Sequence, residues 1–259
     1  MTSALLTERT DDALVLTISD PATRNTLSAQ LIAAAVEALA VAESDDALRC
    51  VILRGDGGHF CAGGNLNGLA QRREAGPPAQ LEMLERLHHL VEAMRSFPKP
   101  VIAAVEGMAA GAGFSLALAS DLIVAAQDAR FVLSYARLGV TPDAGATWHL
   151  GRALPPQLVR QMVWLAEPVS AEMLQRHGLV NWVVQSGAAF AEAVKVAQRL
   201  REAAPNAVTS AKELVRQARG HTLNEQLAAE RDAFVANLFH PNAAEGLAAF
   251  FDKRPARFR

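Results

Sequence analysis

The first half of the chain alternates short apolar runs with segments whose apolar residues recur at helical spacing. Leu31, Ala35 and Leu39 mark one face of a helix predicted at residues 28–43, where the Ser28 hydroxyl can accept from a first-turn N–H. Further helices are predicted at residues 79–96 and 112–120. Apolar runs that predict buried strands lie at residues 13–18, 50–54, 101–105, 122–126 and 130–133. This alternation predicts a layered α/β fold.

The last third of the chain carries mainly helical patterns. This change begins near residue 155, where a subdomain border is one interpretation. Helices are predicted at residues 170–177, 189–203, 207–219 and 223–238, with Gly178 and Gly220 as stops. We expect a core of residues 1–195 followed by a helical region, residues 196–259. Residues 72–78, where Gly76 precedes two prolines, predict a mobile surface loop.

Composition excludes several classes of partner. The 259 residues are 51% hydrophobic, which is ample for a large core. A formal net charge of -2 provides no broad positive field, so we expect no nucleic-acid partner. The two cysteines and seven histidines lack metal-ligand spacing, so no metal is assigned. Neither a signal sequence nor a long apolar span is present, and we expect a cytoplasmic protein without a membrane anchor.

Three turns rich in glycine and alanine are the candidates for chemistry, at residues 57–66, 107–114 and 138–145. Such turns allow the main chain to approach a ligand closely, and the second opens a predicted helix whose free N–H groups favour an anion. Residues 111–116 (Gly-Ala-Gly-Phe-Ser-Leu) lack the last glycine of a dinucleotide-binding fingerprint. The chain has no phosphate-loop or serine-hydrolase motif either.

These three turns, in this order and with Lys-Pro-Val-Ile-Ala-Ala-Val-Glu-Gly at residues 99–107 before the second, resemble the signature of the crotonase (enoyl-CoA hydratase/isomerase) superfamily. The resemblance covers residues 14–258. It implies a right-handed spiral of ββα turns, a helical C-terminal region that mediates trimerisation, and a homotrimer or dimer of trimers. It also implies an acyl-CoA substrate, with coenzyme A present as part of the thioester and no permanently bound cofactor.

The same resemblance implies roles for individual residues. The main-chain N–H groups of Gly64 and Ala112 fall at the positions that hold the thioester oxygen in that superfamily. Contacts to the CoA moiety are implied for Arg24, Ala62, Gly64, Leu66, Lys253 and Arg254. For the last two, a solvated basic chain end is the simpler interpretation, and pairing with CoA phosphates, also across a subunit boundary, is the functional one.

The carboxylates distinguish this chain from the hydratases that it resembles. Relatives that hydrate enoyl-CoA carry glutamates at two positions that are here Ser115 and Tyr135, which we expect to line the substrate pocket. Hydration calls for one group to deprotonate water and another to protonate the α-carbon, so losing both glutamates argues against it. Asp143 stands instead where isomerases of the superfamily place their acid, and residues 138–150 most resemble the phenylacetate-pathway ring-epoxide and double-bond isomerases.

A single carboxylate suits a double-bond shift, because one base can remove a proton from one carbon and return it to another. We therefore predict an acyl-CoA isomerase that acts through Asp143. Three alternatives stay open: a hydratase with the same site, an enzyme whose carboxylate attacks an aryl-CoA ring, and a non-catalytic acyl-CoA-binding scaffold. Without the resemblance, Asp143 is an ordinary turn residue after Pro142, and Tyr135 is equally explained by core packing with a bonded hydroxyl.

Overall fold

The computed structural model describes residues 3–258, whose strands form two sheets. The larger sheet has the order β1 (Ala4–Thr10), β2 (Ala13–Ser19), β3 (Cys50–Gly55), β4 (Val101–Val105), β6 (Leu122–Ala126) and β9 (Trp182–Val184). Its first two strands pair antiparallel and the others parallel. The smaller sheet has the order β5 (Met108–Ala110), β7 (Arg130–Val132) and β8 (Val169–Ser170).

The chain advances in ββα turns that contribute one strand to each sheet. β4 lies in the larger sheet, β5 follows after a two-residue corner and lies in the smaller one, and α4 (Ala112–Ala119) comes next. Gly107 makes that corner with a φ of 54°, and a methyl group built on it would lie 2.3 Å from the Gly58 carbonyl oxygen. β6 and β7 repeat the arrangement. The end of β5 therefore lies next to the start of α4.

Helices cover the larger sheet on both faces. Successive residues of a strand point to opposite faces of the sheet, so a strand that is apolar throughout must be covered on both. Val51, Leu53 and Val101 belong to the main core with α1 and α3, whereas Ile52 and Ile102 pack with α8. The remaining helices are α1 (Ala29–Glu43), α2 (Leu66–Ala75), α3 (Pro77–Ser96), α5 (Ala146–Ala153), α6 (Pro156–Leu165), α7 (Ala171–Arg176), α8 (Ala189–Leu200), α9 (Pro205–Ala218), α10 (Leu223–Leu238) and α11 (Pro241–Phe251).

The elements predicted from periodicity are confirmed, three of them with the predicted bounds: β4, β6 and α10. The Ser28 hydroxyl accepts from the Leu31 N–H at 3.2 Å, as its place before the helix indicates. Gly178 ends its helix with a φ of 76°, but Gly220 has no positive φ. The division expected after residue 195 falls inside α8 and stays a prediction.

The prediction of a mobile loop at residues 72–78 is wrong. α2 ends at Ala75 and α3 begins at Pro77, so Gly76 alone separates two helices. Gly76 turns the corner with a φ of 96°, which a glycine adopts without strain. A proline at the first position of a helix loses no hydrogen bond, because that N–H has no intrahelical acceptor. The prolines that indicated a loop therefore begin a helix.

The C-terminal helices leave large apolar side chains uncovered. Phe234, Phe239, Phe250 and Phe251 are each more than two thirds exposed. Several exposed large apolar side chains in one region of the chain are typical of a contact with another molecule. The expected trimer contact stays a prediction for this region. None of the helices in the described part of the chain is both long and apolar enough to cross a bilayer.

Gly113 allows α4 to approach the 60–64 segment, because a methyl group built on it would lie 2.3 Å from the Cys61 carbonyl oxygen. We expect Gly113→Ala to lower the free energy of unfolding by about 1 to 3 kcal/mol through overpacking. Gly151→Ala is the matched control, since its added methyl group meets nothing within 4 Å and should stabilise α5 by up to about 1 kcal/mol. Urea unfolding measures both variants, and equal changes would contradict the expectation.

Candidate active site

The segment of residues 60–64 lies along β5, at the edge where the two sheets meet. The Cys61 N–H donates to the Met108 carbonyl at 3.1 Å, and the Ala110 N–H donates to the Cys61 carbonyl at 2.8 Å. These bonds form a short parallel ladder, with Cys61 opposite Ala109. Because α4 begins two residues after β5, the ladder carries the segment to the first turn of that helix.

The loop of residues 20–27 binds the other side of the same segment. The Ala62 N–H donates to the Arg24 carbonyl at 2.9 Å, and the Leu27 N–H donates to the Gly63 carbonyl at 2.8 Å. Arg24, Ala62 and Gly64, for which the family resemblance implies CoA contacts, are thereby brought together. Leu66 begins α2 just beyond them and is 59% exposed.

Asn25 is a site residue that the sequence patterns do not single out. Its side chain is fully buried, and its oxygen accepts from the Asp20 N–H at 2.9 Å. Its amide nitrogen donates to the carbonyls of Asp56 and His59, both at 2.7 Å. Asn25 therefore ties the 20–27 loop to the chain that leads into the 60–64 segment. Its φ of 63° is the left-handed conformation that asparagine tolerates, which is the one local signal available.

Gly63 brings the 60–64 segment into contact with the first residue of α4. A methyl group built on Gly63 would lie 3.2 Å from the Ala112 nitrogen and 2.7 Å from the Ala110 carbonyl oxygen. The first N–H groups of a helix have no intrahelical acceptor. Within residues 3–258, neither the Ala112 N–H nor the Gly64 N–H has a backbone acceptor. Two free amides thus lie on adjoining pieces of main chain.

Lys253 and Arg254 follow α11 and are far in sequence from the 20–27 loop and the 60–64 segment. The Arg254 guanidinium binds the Glu245 carboxylate at 2.7 and 3.0 Å and lies 3.5 Å from the Asp252 carboxylate. These partners belong to its own C-terminal segment. The Arg254 guanidinium is therefore paired within its own segment, and a contact of Lys253 or Arg254 to CoA stays a prediction.

Asp143 lies in the turn that leads into α5, where it meets both residues predicted to line the pocket. The Tyr135 hydroxyl donates to Asp143 Oδ1 at 2.5 Å, and the Ser115 hydroxyl donates to the Asp143 carbonyl at 3.2 Å. A methyl group built on Gly111 would lie 3.5 Å from the Tyr135 hydroxyl. Gly111 immediately precedes Ala112, so the three side chains lie beside the start of α4.

Burial sets the proton affinity of this group. It raises the pKa of the Asp143 carboxyl above its ordinary value, and the Tyr135 hydrogen bond and the charge of His88 partly offset that rise. Burial also raises the pKa of Tyr135, and the negative charge of Asp143 adds to the effect. The phenol therefore stays protonated near neutral pH and acts as a donor to Asp143.

His88 is a second residue whose place the sequence does not reveal. Its position in α3 predicts a helix surface, and it is indeed exposed. It nevertheless lies near enough to Asp143 for its charge to lower the pKa of that carboxyl. α3 packs against α4, whose Ser115 binds the Asp143 main chain, and no local sequence signal marks that packing.

Cys61 lies in the same corner with a thiol that is fully buried. Burial raises its pKa to about 12, and the Gly63 N–H donates to its sulfur at 3.4 Å. A thiol with so high a pKa is not a nucleophile at neutral pH. Across residues 3–258, no three His, Cys, Asp or Glu side chains are grouped as ligands for a metal ion.

Proteins of known family are similar to this chain over almost its whole length. The family model for enoyl-CoA hydratase/isomerase matches residues 8–259. The 2,3-dehydroadipyl-CoA hydratase of Escherichia coli (strain K12) is 34% identical over 99% of both chains. The 1,2-epoxyphenylacetyl-CoA isomerase of the same strain is 35% identical over 95% of this chain and 94% of its own. The crystal structure of an enoyl-CoA hydratase from Polaromonas sp. JS666 has a TM-score of 0.97 and 47% identity, covering 99% of this chain and 100% of that one.

The fold, with its spiral of ββα turns, is that of the crotonase superfamily. The chain belongs to the enoyl-CoA hydratase/isomerase family. The resemblance and the fold class predicted from the sequence are therefore confirmed. Hydratases and an isomerase occur among the similar proteins at nearly equal identity, so the comparisons establish the family and leave the reaction to the chemistry of the site.

Both cysteines should be unreactive in the folded protein, because burial raises the pKa of Cys50 and of Cys61 to about 12. We expect a thiol reagent at pH 8 to modify neither within the time that modifies both in urea. Absorbance of the released thiolate gives the count. One fast-reacting thiol in the folded protein, lost in Cys61→Ser, would contradict the assignment of Cys61 as a packed residue.

Proposed function

We propose that this protein is an acyl-CoA isomerase, which moves a double bond of an unsaturated acyl-CoA thioester by proton transfer through Asp143. The observation that carries the proposal is the half-buried Asp143 carboxylate of raised pKa beside the start of α4, where Tyr135 binds the carboxylate and Ser115 binds the main-chain carbonyl of Asp143. The positions where hydratases of the family carry glutamates are occupied here by those two hydroxyl side chains. Asp143 is thus left as the acid and base of the site.

The thioester oxygen is held, in this proposal, by the amides of Gly64 and Ala112. Removing a proton beside a thioester moves negative charge onto that oxygen, so fixed donors there stabilise the transition state more than the substrate. Each donor is worth about 3 kcal/mol in such sites. The contact of Gly63 with the Ala112 nitrogen and the free state of both amides support the assignment. The positive end of α4 adds to the stabilisation.

The CoA moiety approaches along the joined 20–27 and 60–66 segments, with Arg24, Ala62, Gly64 and Leu66 as its contacts in one chain. With the CoA moiety bound in this direction, the acyl group enters the corner lined by Ser115 and Tyr135. The proposal includes Lys253 and Arg254 only through a neighbouring subunit, because Arg254 is paired within its own C-terminal segment. The assembly consistent with that contact is a homotrimer or a dimer of trimers.

The proton balance of the reaction is simple. The Asp143 carboxylate takes a proton from one carbon, and the electron pair of the broken C–H bond forms a dienolate. The same carboxyl returns a proton to a second carbon as the double bond shifts. A carboxyl with a pKa raised by burial takes and releases a proton more readily near neutral pH than an exposed one.

A hydratase is the second candidate. The similarity to the 2,3-dehydroadipyl-CoA hydratase and to the enoyl-CoA hydratase from Polaromonas sp. JS666 favours it. It would require Asp143 alone to activate the water and to protonate the α-carbon, since Ser115 and Tyr135 offer no carboxylate. The two reactions have different products, because hydration adds one water to the substrate and isomerisation leaves its mass unchanged.

We expect Asp143→Asn to lower kcat by about 10² to 10⁴ with little change in KM, since an amide cannot accept the proton but has nearly the same shape. Turnover of a panel of 2- and 3-enoyl-CoA thioesters, followed by mass and NMR, measures this change. Asp128→Asn is the matched control, because Asp128 is an exposed carboxylate in the turn between β6 and β7 and should leave turnover at the wild-type rate.

Running the wild-type reaction in deuterium oxide distinguishes the candidates. An isomerase that shuttles a proton incorporates deuterium at the acyl carbons without any gain of water. A product heavier by one water supports the hydratase, and a covalent mass adduct on the protein supports attack on an aryl ring. Thermal stabilisation by acyl-CoA without turnover of any panel member would leave the scaffold alternative and remove the proposed isomerase.

A further inference from the structure

We propose that Tyr135 is a positioning residue, which binds Oδ1 of Asp143 and thereby leaves Oδ2 as the oxygen that carries the substrate proton. The inference rests on the proposed role of Asp143 and adds which oxygen reacts and what selects it. The hydroxyl of Tyr135 donates to Oδ1 at 2.5 Å. No side chain among residues 3–258 donates to Oδ2.

The Asp143 backbone is fixed independently of its carboxylate. Its carbonyl accepts from the Ser115 hydroxyl at 3.2 Å and from the Ala146 N–H at 3.1 Å. Ser115 is completely buried in α4, so this anchor comes from the same helix that begins with Ala112. With the main chain held, rotation about the side-chain bonds of Asp143 is the freedom that remains. The Tyr135 hydrogen bond removes that freedom.

Tyr135 is itself held in place by the fold. It lies in the 3₁₀ turn of Ser134–Leu138, and its hydroxyl lies close to Gly111. Gly111 has a φ of 52°, and its amide donates to the Val132 carbonyl at 2.9 Å, which fixes the main chain there. The lack of a side chain on Gly111 leaves room for the phenol between the start of α4 and Asp143. One residue after Gly111 comes the Ala112 amide proposed to bind the thioester oxygen.

The groups that face Asp143 come from three elements. Tyr135 approaches from the 3₁₀ turn, Ser115 from α4, and His88 from α3. The main-chain N–H of Asp143 itself also donates to its carboxyl. The phenol favours the charged form of the carboxyl, as does His88, and burial favours the neutral form. The balance keeps the carboxyl able both to take and to return a proton.

The phenol does not deliver its own proton in this scheme. Burial and the neighbouring carboxylate raise the pKa of Tyr135, so its hydroxyl remains a donor throughout the reaction. When Oδ2 takes the substrate proton, Oδ1 becomes the carbonyl oxygen of the acid and still accepts from Tyr135. Removing the Tyr135 hydroxyl should therefore change the proton affinity and the orientation of Asp143. It should not change which protons are transferred in the reaction.

The chain offers a probe that needs no substrate, because Tyr135 is its single tyrosine. Protein labelled with tyrosine carrying ¹³C at Cζ gives one signal that responds to the hydrogen bond. We expect this signal to titrate in the acid range with a midpoint above about 4, the ordinary value for an aspartate. We expect the step to vanish in Asp143→Asn. Its absence from the wild-type protein, or its persistence in the variant, would overturn the inference.

Kinetics of Tyr135→Phe test the effect on the reaction. Losing a hydrogen bond to a charged group should lower kcat about 10- to 100-fold with little change in KM. It should also move the acid limb of kcat/KM to higher pH by about 1 to 2 units, because the charged form of Asp143 loses its donor. A loss of activity that is equal at every pH would indicate a merely structural role and overturn the inference.

Ser120→Ala is the matched control for the loss of a hydroxyl. Ser120 follows α4 and its hydroxyl donates to the Leu116 carbonyl at 3.2 Å, so its removal should leave the acid limb at the wild-type pH. Circular dichroism confirms that each variant is folded. Retained turnover in Asp143→Asn would remove the proposed function itself. An inactive Asp143→Asn, together with an unshifted acid limb in Tyr135→Phe, would remove the positioning role alone.

Discussion

The hydrogen bonds that hold the 60–64 segment between β5 and the 20–27 loop are the constraint on which the rest of the site depends. They set Gly63 against the first residue of α4 so closely that no side chain fits at residue 63 or 113. The two amides proposed to bind the thioester oxygen therefore owe their positions to main chain that is fixed on both sides. The alanine side chain at residue 112 leaves such a donor intact because the donor is backbone.

In the proposed reaction the backbone amides bind the thioester oxygen, so the kind of reaction depends on the few side chains that reach the substrate carbons. In this chain the proposed group is the carboxyl of Asp143, whose Oδ1 accepts from the Tyr135 hydroxyl, while the Ser115 hydroxyl holds the main-chain carbonyl of the same residue. Burial and hydrogen bonding act in opposite directions on its pKa, which is the balance that a single group needs in order to be base and then acid.

The sequence is sufficient for the elements whose pattern is strong and local. Continuous apolar runs give β4 and β6 with their bounds, and the glycine-rich turns locate the corner of the site. The break at Gly76 was not predictable from composition, because a proline after glycine is equally typical of a loop and of a helix start. Asn25, His88 and the hydrogen bond from Tyr135 depend on segments that meet only in the folded chain. Such contacts leave no periodic signal.

The most direct test of the central claim is a crystal structure with an unreactive acyl-CoA analogue bound. The account predicts one carbonyl oxygen within about 2.7 to 3.1 Å of both the Gly64 and the Ala112 nitrogens, with Asp143 Oδ2 facing the neighbouring carbons. A thioester oxygen that contacts neither amide, or an Asp143 carboxylate turned away from the acyl chain, would contradict it.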